Sequence, residues 1–220
     1  MRQDVLFSIT KESLETGLRG VPVGYCTTSH VDAAKGLTYV GRPISELAHR
    51  DPMEVIYLLY FGEMGSKPQV AQFAADLSAR SRCKPETLHA IEALPKAGHP
   101  MDGYAAALLI AGMYEGMGDY REDGLNVIAR IPTITAAFIN ARAGFGKGAA
   151  PQPELGYIEN FLHMLHLPDK HSSHLLQTLK LFEVVSFDHC GGNLSTFVGK
   201  AVASGLEPMW GSLAAAMTAL

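Results

Sequence analysis

The sequence predicts an all-α domain with a small β element near its N-terminus, and three observations carry that prediction. Helix-opening signals recur from about residue 51 onward, each an N-cap residue or a proline ahead of an apolar run. Those runs keep the 3.6-residue period of an amphipathic helix. Strand signals are nearly absent after residue 40, and no internal repeat is evident.

Gly17, Gly20, Pro22, Gly24 and Gly36 break any helical pattern over the first forty-odd residues, and Thr38-Tyr39-Val40 reads as a short strand. Asp51-Pro52-Met53-Glu54 then supplies an N-cap, a proline at the first helical position and an acid at the third. Ser66 with Pro68 opens the next run through Phe73 and Leu77, and Pro85 a shorter one through Ile91 and Leu94. Pro100 precedes an almost wholly apolar segment, Tyr104 to Met113, which as a helix is expected to be buried on all sides. Further helices are expected over 121–142, 153–165, 168–188, 194–205 and 208–220, the 168–188 helix presenting Leu175, Leu176, Leu179, Phe182 and Val185 on one face. The domain boundaries expected are an N-terminal segment with the β element over 1–45 and a helical domain over 46–220.

The composition narrows what such a domain does. Hydrophobic residues make up 47% of the 220 and charged residues 18%, a balance that predicts apolar surface covered by a partner subunit. The net charge of −4 leaves no basic footprint, which argues against a nucleic-acid partner. Cys26, Cys83 and Cys190 are odd in number, widely spaced and without a CxxC pair, as expected of free thiols in a reducing compartment. The N-terminus has neither a secretion-signal core nor an Arg-rich presequence, and the uncharged runs are too short to span a bilayer. A cytoplasmic protein with no membrane partner is expected.

The stretch richest in chemistry is 187–205, Phe-Asp-His-Cys-Gly-Gly-Asn-Leu-Ser-Thr-Phe-Val-Gly-Lys-Ala-Val-Ala-Ser-Gly. Two glycines stop a long amphipathic run just after His189, and Asn193, a strong N-cap type, opens another helix with Ser195 and Thr196 in its first turn. This places an imidazole near a helix N-terminus, whose free N–H groups favour an anion, and the combination suits a carboxylate ligand. The alternative for His189 is a core histidine satisfied by a backbone carbonyl; Asn193 and Ser195 can be helix caps alone.

Two other clusters carry weaker chemistry. His163, His166, His171 and His174 form two i,i+3 pairs, but Pro168 splits them and the carboxylates of a metal site are lacking, so no metal is expected. Gly144-Phe145-Gly146-Lys147-Gly148 lacks the Ser or Thr, the glycine spacing and the preceding strand of a phosphate loop, and reads as an inter-helix loop. His99-Pro100-Met101 reads as a turn and a helix start.

Four stretches in order, Tyr39 to Leu47, His99-Pro100-Met101, Tyr157 to Leu165 and Asp188-His189-x-x-x-Asn193-x-Ser195, resemble citrate synthases over nearly the whole chain. Val40 departs from the arginine of that family's Tyr-Arg-Gly, although Arg42 is retained, and Cys190 stands where mitochondrial-type members carry Glu. The resemblance implies the large helical domain of such an enzyme, in part, with the small domain absent. It implies condensation of acetyl-CoA with oxaloacetate to citrate and CoA, with 2-methylcitrate synthesis from propionyl-CoA or a non-catalytic or split subunit as alternatives. No cofactor is implied, coenzyme A entering as a thioester substrate, and the expected assembly is a homodimer or a pairing with a complementary second chain. His189 falls on the position that binds oxaloacetate, and Ser195 on the one that fixes the next histidine of the chain. The catalytic residues are expected beyond Leu220, in and after a Gly-Pro-Leu-His-Gly motif. The apolar, poorly capped tail 212–220 adds to the expectation of an incomplete domain.

Overall fold

The computed structural model describes residues 8–16, 24–167, 173–189 and 193–220. After a single helical turn, α1 (Ser13–Thr16), comes a three-stranded antiparallel sheet of β1 (Ser29–Asp32), β2 (Gly36–Tyr39) and β3 (Arg42–Pro43), in that order. Ser29 lies opposite Tyr39 and Asp32 opposite Gly36, and the Asp32 carboxylate closes the turn by accepting from the amides of Ala34 and Lys35, both at 2.8 Å. The β element is thus larger than the single strand expected. Val40 lies not in the strand but in the β2–β3 turn, where it and Gly41 have φ of 48° and 76°. Two successive positive φ values make the tight two-residue hairpin that suits sheet twist. Glycine adopts this freely, whereas a β-branched residue is strained there. That is why a strand-forming valine misleads a reading by propensity.

The helices follow their start signals: α2 (Ile44–Leu47), α3 (Pro52–Phe61), α4 (Lys67–Arg80), α5 (Pro85–Glu92), α6 (Pro100–Glu115), α7 (Tyr120–Ala143), α8 (Tyr157–Met164), α9 (Ser173–Ser186), α10 (Leu194–Ala203) and α11 (Met209–Met217). Asp51 caps α3 by accepting from the Met53 amide at 2.9 Å, and Gln69 returns to the Ser66 amide at 2.9 Å in α4. The helix expected from 153 begins only at Tyr157, because residues 153–156 are held as a turn. The Asn160 side chain clasps Gln152 there, accepting from its N–H at 3.0 Å and donating to its carbonyl at 2.9 Å.

Two helices depart from their expected burial. α6 buries Ala105, Leu108 and Ala111 but exposes Leu109 and Met113, so it is buried on one side only. On α9, Leu175, Leu176 and Leu179 pack toward Leu162 and Leu165, while Phe182 and Val185 face solvent and Val184 is fully buried beside Tyr39 and Leu58. The helix serves two separate clusters, so no single apolar stripe describes it.

The core centres on α6, α7 and α11. Trp210 of α11 fits against Gly112, where an added Cβ would stand 2.7 Å from the Trp210 Cβ. Pro132 sits inside α7 and cannot donate to the carbonyl of Ile128 one turn earlier. The Tyr157 hydroxyl supplies the missing donor, 2.6 Å from that carbonyl, so α8 is docked on α7 where the proline opens it. At the end of α6 the buried Glu115 carboxylate accepts from the Lys84 amide at 2.7 Å and the Thr87 hydroxyl at 2.5 Å, with Arg130 at 3.6 Å. It thereby caps the N-terminus of α5 from another helix, a favourable place for negative charge.

Candidate functional site

The C-terminal end of α9 is tied to the sheet. The Tyr39 side chain, fully buried, donates its hydroxyl proton to the Val184 carbonyl at 2.9 Å, and its oxygen accepts from the Asp188 amide at 3.3 Å. One buried phenol therefore fixes both the last turn of α9 and Asp188, two residues past its end. Burial holds the Tyr39 hydroxyl above its ordinary range, so it stays a donor at neutral pH. The Asp188 carboxylate accepts in addition from the Thr28 hydroxyl. Thr28 is itself held by the strained hairpin, since the Val40 amide donates to its carbonyl at 2.8 Å.

His189 follows directly and is exposed to solvent. Within the described residues it is not a buried core histidine. Residues 190–192, including Cys190, lie outside the described residues. Beyond them Asn193 caps α10 as its residue type predicts, its side-chain oxygen accepting from the Thr196 amide at 2.6 Å and from the Ser195 hydroxyl at 3.0 Å. Lys200, one turn from the end of α10, donates to the Tyr25 carbonyl at 3.1 Å. The segment 25–28 thus contacts both Asp188, ahead of residues 190–192, and α10, after them.

These partners were not visible in the sequence pattern. Thr28 and Asp188 are 160 positions apart, and neither belongs to a motif that announces the other. Cys26 also belongs here, its sulfur 3.4 Å from the Thr28 hydroxyl oxygen and 3.7 Å from that of Ser29. Burial raises this thiol, but hydrogen bonds from the side chains and backbone of Thr28 and Ser29 outweigh burial and bring it down to about 7.

Beside the turn lies an apolar groove of about 470 Å³, lined among others by Ile56, Tyr60, Tyr104, Val127, Phe187 and Met217. Glu183 of α9 is close enough to influence Tyr104 and Tyr157, and burial raises its carboxyl above the usual range. A second cavity, about 390 Å³, lies among α4, α7 and α8 and is lined by no residue of 187–195.

The remaining sequence candidates are placed as follows. His163 is on α8 and His174 on α9; His166 is exposed with its Nδ1 3.0 Å from the Phe145 carbonyl, and His171 lies outside the described residues. Among the described residues no group of three or more His, Cys, Asp or Glu side chains is arranged to hold a metal ion. Gly144 ends α7 in the left-handed conformation, so the glycine-rich stretch closes a helix rather than cradling a phosphate ahead of one. His99 and Pro100 open α6. Among the described residues no helix is long and apolar enough to cross a membrane.

Comparison with known proteins places the fold. Residues 17–220 match the family model described as citrate synthase, C-terminal domain. The chain belongs to the citrate synthase family. It is 30% identical over 240 residues to citrate synthase 4, mitochondrial, of Arabidopsis thaliana, covering 98% of this chain and 50% of that protein. It is also 30% identical over 218 residues to the 2-methylcitrate synthase of Mycobacterium tuberculosis strain Erdman, covering 96% of this chain and 54% of that protein. The crystal structure of citrate synthase from Pyrobaculum aerophilum superposes with a TM-score of 0.81 at 27% identity, over 93% of this chain and 54% of that one. The mostly helical fold with a small N-terminal sheet is that of the family. The chain spans about half the length of the curated relatives it matches.

Proposed function

We propose that this chain forms the amino-terminal part of the large domain of an enzyme that condenses an acyl-CoA with oxaloacetate, and that His189 is its oxaloacetate contact. The observation that carries the reading is the exposed imidazole at the end of a turn held by Tyr39 and Thr28, in a stretch that keeps the family's Asp-His-x-x-x-Asn-x-Ser order. An imidazole and a helix N-terminus can meet one carboxylate of the substrate. The thioester methyl is a very weak acid, so its deprotonation needs a positioned base and a donor to the enolate oxygen. We infer that these groups, with the arginines that hold the other carboxylate, lie in the part of the enzyme these 220 residues do not include. Ser195, bonded here to Asn193, is the residue that would orient the next histidine.

The same reading includes a homodimer. Leu109, Met113, Met117 and Tyr120 expose apolar surface along α6, the turn after it and the start of α7, a surface that a second copy would cover. Free thiols at Cys26 and Cys83 support a reducing, cytoplasmic setting.

A thiol-release assay with oxaloacetate and either acetyl-CoA or propionyl-CoA tests the reading. The chain alone is expected to show no turnover with either, because each missing acid or base supplies roughly 10²–10⁴ in rate. Turnover near that of ordinary enzymes, in protein free of host citrate synthase, would overturn the division of labour. In that case the preferred thioester would identify the acyl group.

A further inference from the structure

We propose that Thr28 is a positioning residue for His189, and that segment 25–28 braces the oxaloacetate contact; the inference rests on the reading of His189 given above. Asp188 directly precedes His189, and its two ends are held by different residues. Its amide donates to the Tyr39 hydroxyl at 3.3 Å, and its carboxylate accepts from Thr28. With both ends fixed, the backbone that carries the imidazole loses most of its freedom to swing, which lowers the entropy cost of ligand binding.

The brace is anchored independently of the turn it holds. The Val40 amide fixes the Thr28 carbonyl at 2.8 Å, from a hairpin position where φ is 48°. A valine in that conformation is sustained only by its surroundings, and such strain gathers where a fold must hold one geometry. Lys200 ties the same segment to α10 at Tyr25, 3.1 Å away. Thr28 has one hydroxyl proton, and while the Cys26 thiol is protonated it goes to Asp188. The 3.4 Å approach of Cys26 Sγ therefore leaves the thiol, when protonated, as donor to the Thr28 oxygen. The polar chain runs from Cys26 through Thr28 to Asp188 and ends beside the exposed imidazole.

Removing the hydroxyl should free the Asp188 carboxylate and loosen the turn without touching ligand. The test uses the 220-residue chain with ¹³C-labelled histidine rings, the His189 signal being assigned by its loss in His189→Ala. Oxaloacetate is titrated into the parent, Thr28→Val, Thr28→Ser and Thr87→Val, the last removing a buried hydroxyl from Glu115 in the core. The expected result is a saturable shift of the His189 signal in the parent. In Thr28→Val that signal should be displaced before ligand is added, with affinity roughly five- to tenfold weaker. Thr28→Ser should behave as the parent, and Thr87→Val should lose thermal stability with affinity unchanged. If Thr28→Val does not fold, Asp188→Asn weakens the same contact and is read the same way. A parent that responds while Thr28→Val responds with equal affinity overturns this inference and leaves His189 as the ligand contact. A parent whose His189 signal ignores oxaloacetate overturns the reading of His189 and this inference with it.

Discussion

The molecule uses one hydrogen bond, a threonine hydroxyl to a carboxylate, in two places with opposite surroundings. In the core, Thr87 donates to Glu115, which also takes the Lys84 amide and pairs with Arg130; the carboxylate is only 4% exposed. At the turn, Thr28 donates to the partly buried Asp188, whose neighbour His189 stands in solvent. Each knot has a cysteine beside it. Burial first, and then the charge of Glu115, push the Cys83 thiol up to about 12, whereas Cys26 comes down to about 7. The first knot is closed on itself and stabilises the fold. The second ends beside an exposed imidazole, and that exposure marks it as a candidate site.

The largest expected effect comes from breaking the closed knot. Glu115→Ala removes the carboxylate partner of Arg130, of the part-buried Lys84 amide and of the buried Thr87 hydroxyl, and should destabilise the domain by about 3–5 kcal/mol. Chemical denaturation reads this directly. A loss under 1 kcal/mol would mean that the cluster is hydrated and not the sealed cap described.

A smaller effect of opposite sign is expected at the open knot. Val40→Asn places a residue favoured at the first position of such hairpins where valine now holds a φ of 48°. Relief of that strain should stabilise the domain by about 1 kcal/mol, seen as a higher midpoint in the same denaturation series. A loss of stability would show that the packing of Val40 against the cluster of Tyr39, Leu47, Val55, Leu58 and Val184 outweighs its backbone strain.

The two thiols give the smallest and most selective readout. Alkylation of Cys26 should rise through a midpoint near pH 7, while Cys83 should resist alkylation in the folded chain below about pH 12. The signs of their linkage to stability are opposite. Cys83 is raised from 9.0, so its contribution is present below pH 9 and lost as pH climbs toward 12. Cys26 is lowered from 9.0, so its contribution is present above pH 9 and lost as pH falls through 7. Single Cys→Ala variants, melted across that range, separate the two; equal alkylation rates for both would erase the contrast between the knots.

Much of the helical framework was legible because helix starts are local. Asp51-Pro52, Ser66 with Gln69, Pro85, Pro100 and Asn193 each satisfy or avoid a free amide within a few residues, and each opens a helix in the structure. What escaped is nonlocal or contrary to propensity. The hairpin turn places a β-branched residue where glycine or asparagine is favoured, so pattern alone read it as strand. The exposed half of α6 looks like core because pattern alone does not separate exposed apolar residues from buried ones. His189 and Asn193 could be singled out from their neighbours in the chain. Thr28 could not, since its role depends on a contact 160 residues away.

The central claim is that His189 meets oxaloacetate. Its most direct measurement is a calorimetric titration of oxaloacetate into the parent chain and into His189→Ala, after circular dichroism shows that both are folded. With one carboxylate contact present and the arginine clamp outside these residues, the parent should bind with a Kd of about 1 mM or weaker, near −4 kcal/mol. The variant should show no heat beyond dilution. Equal binding by the two proteins would contradict the account and return His189 to the exposed surface as an ordinary residue.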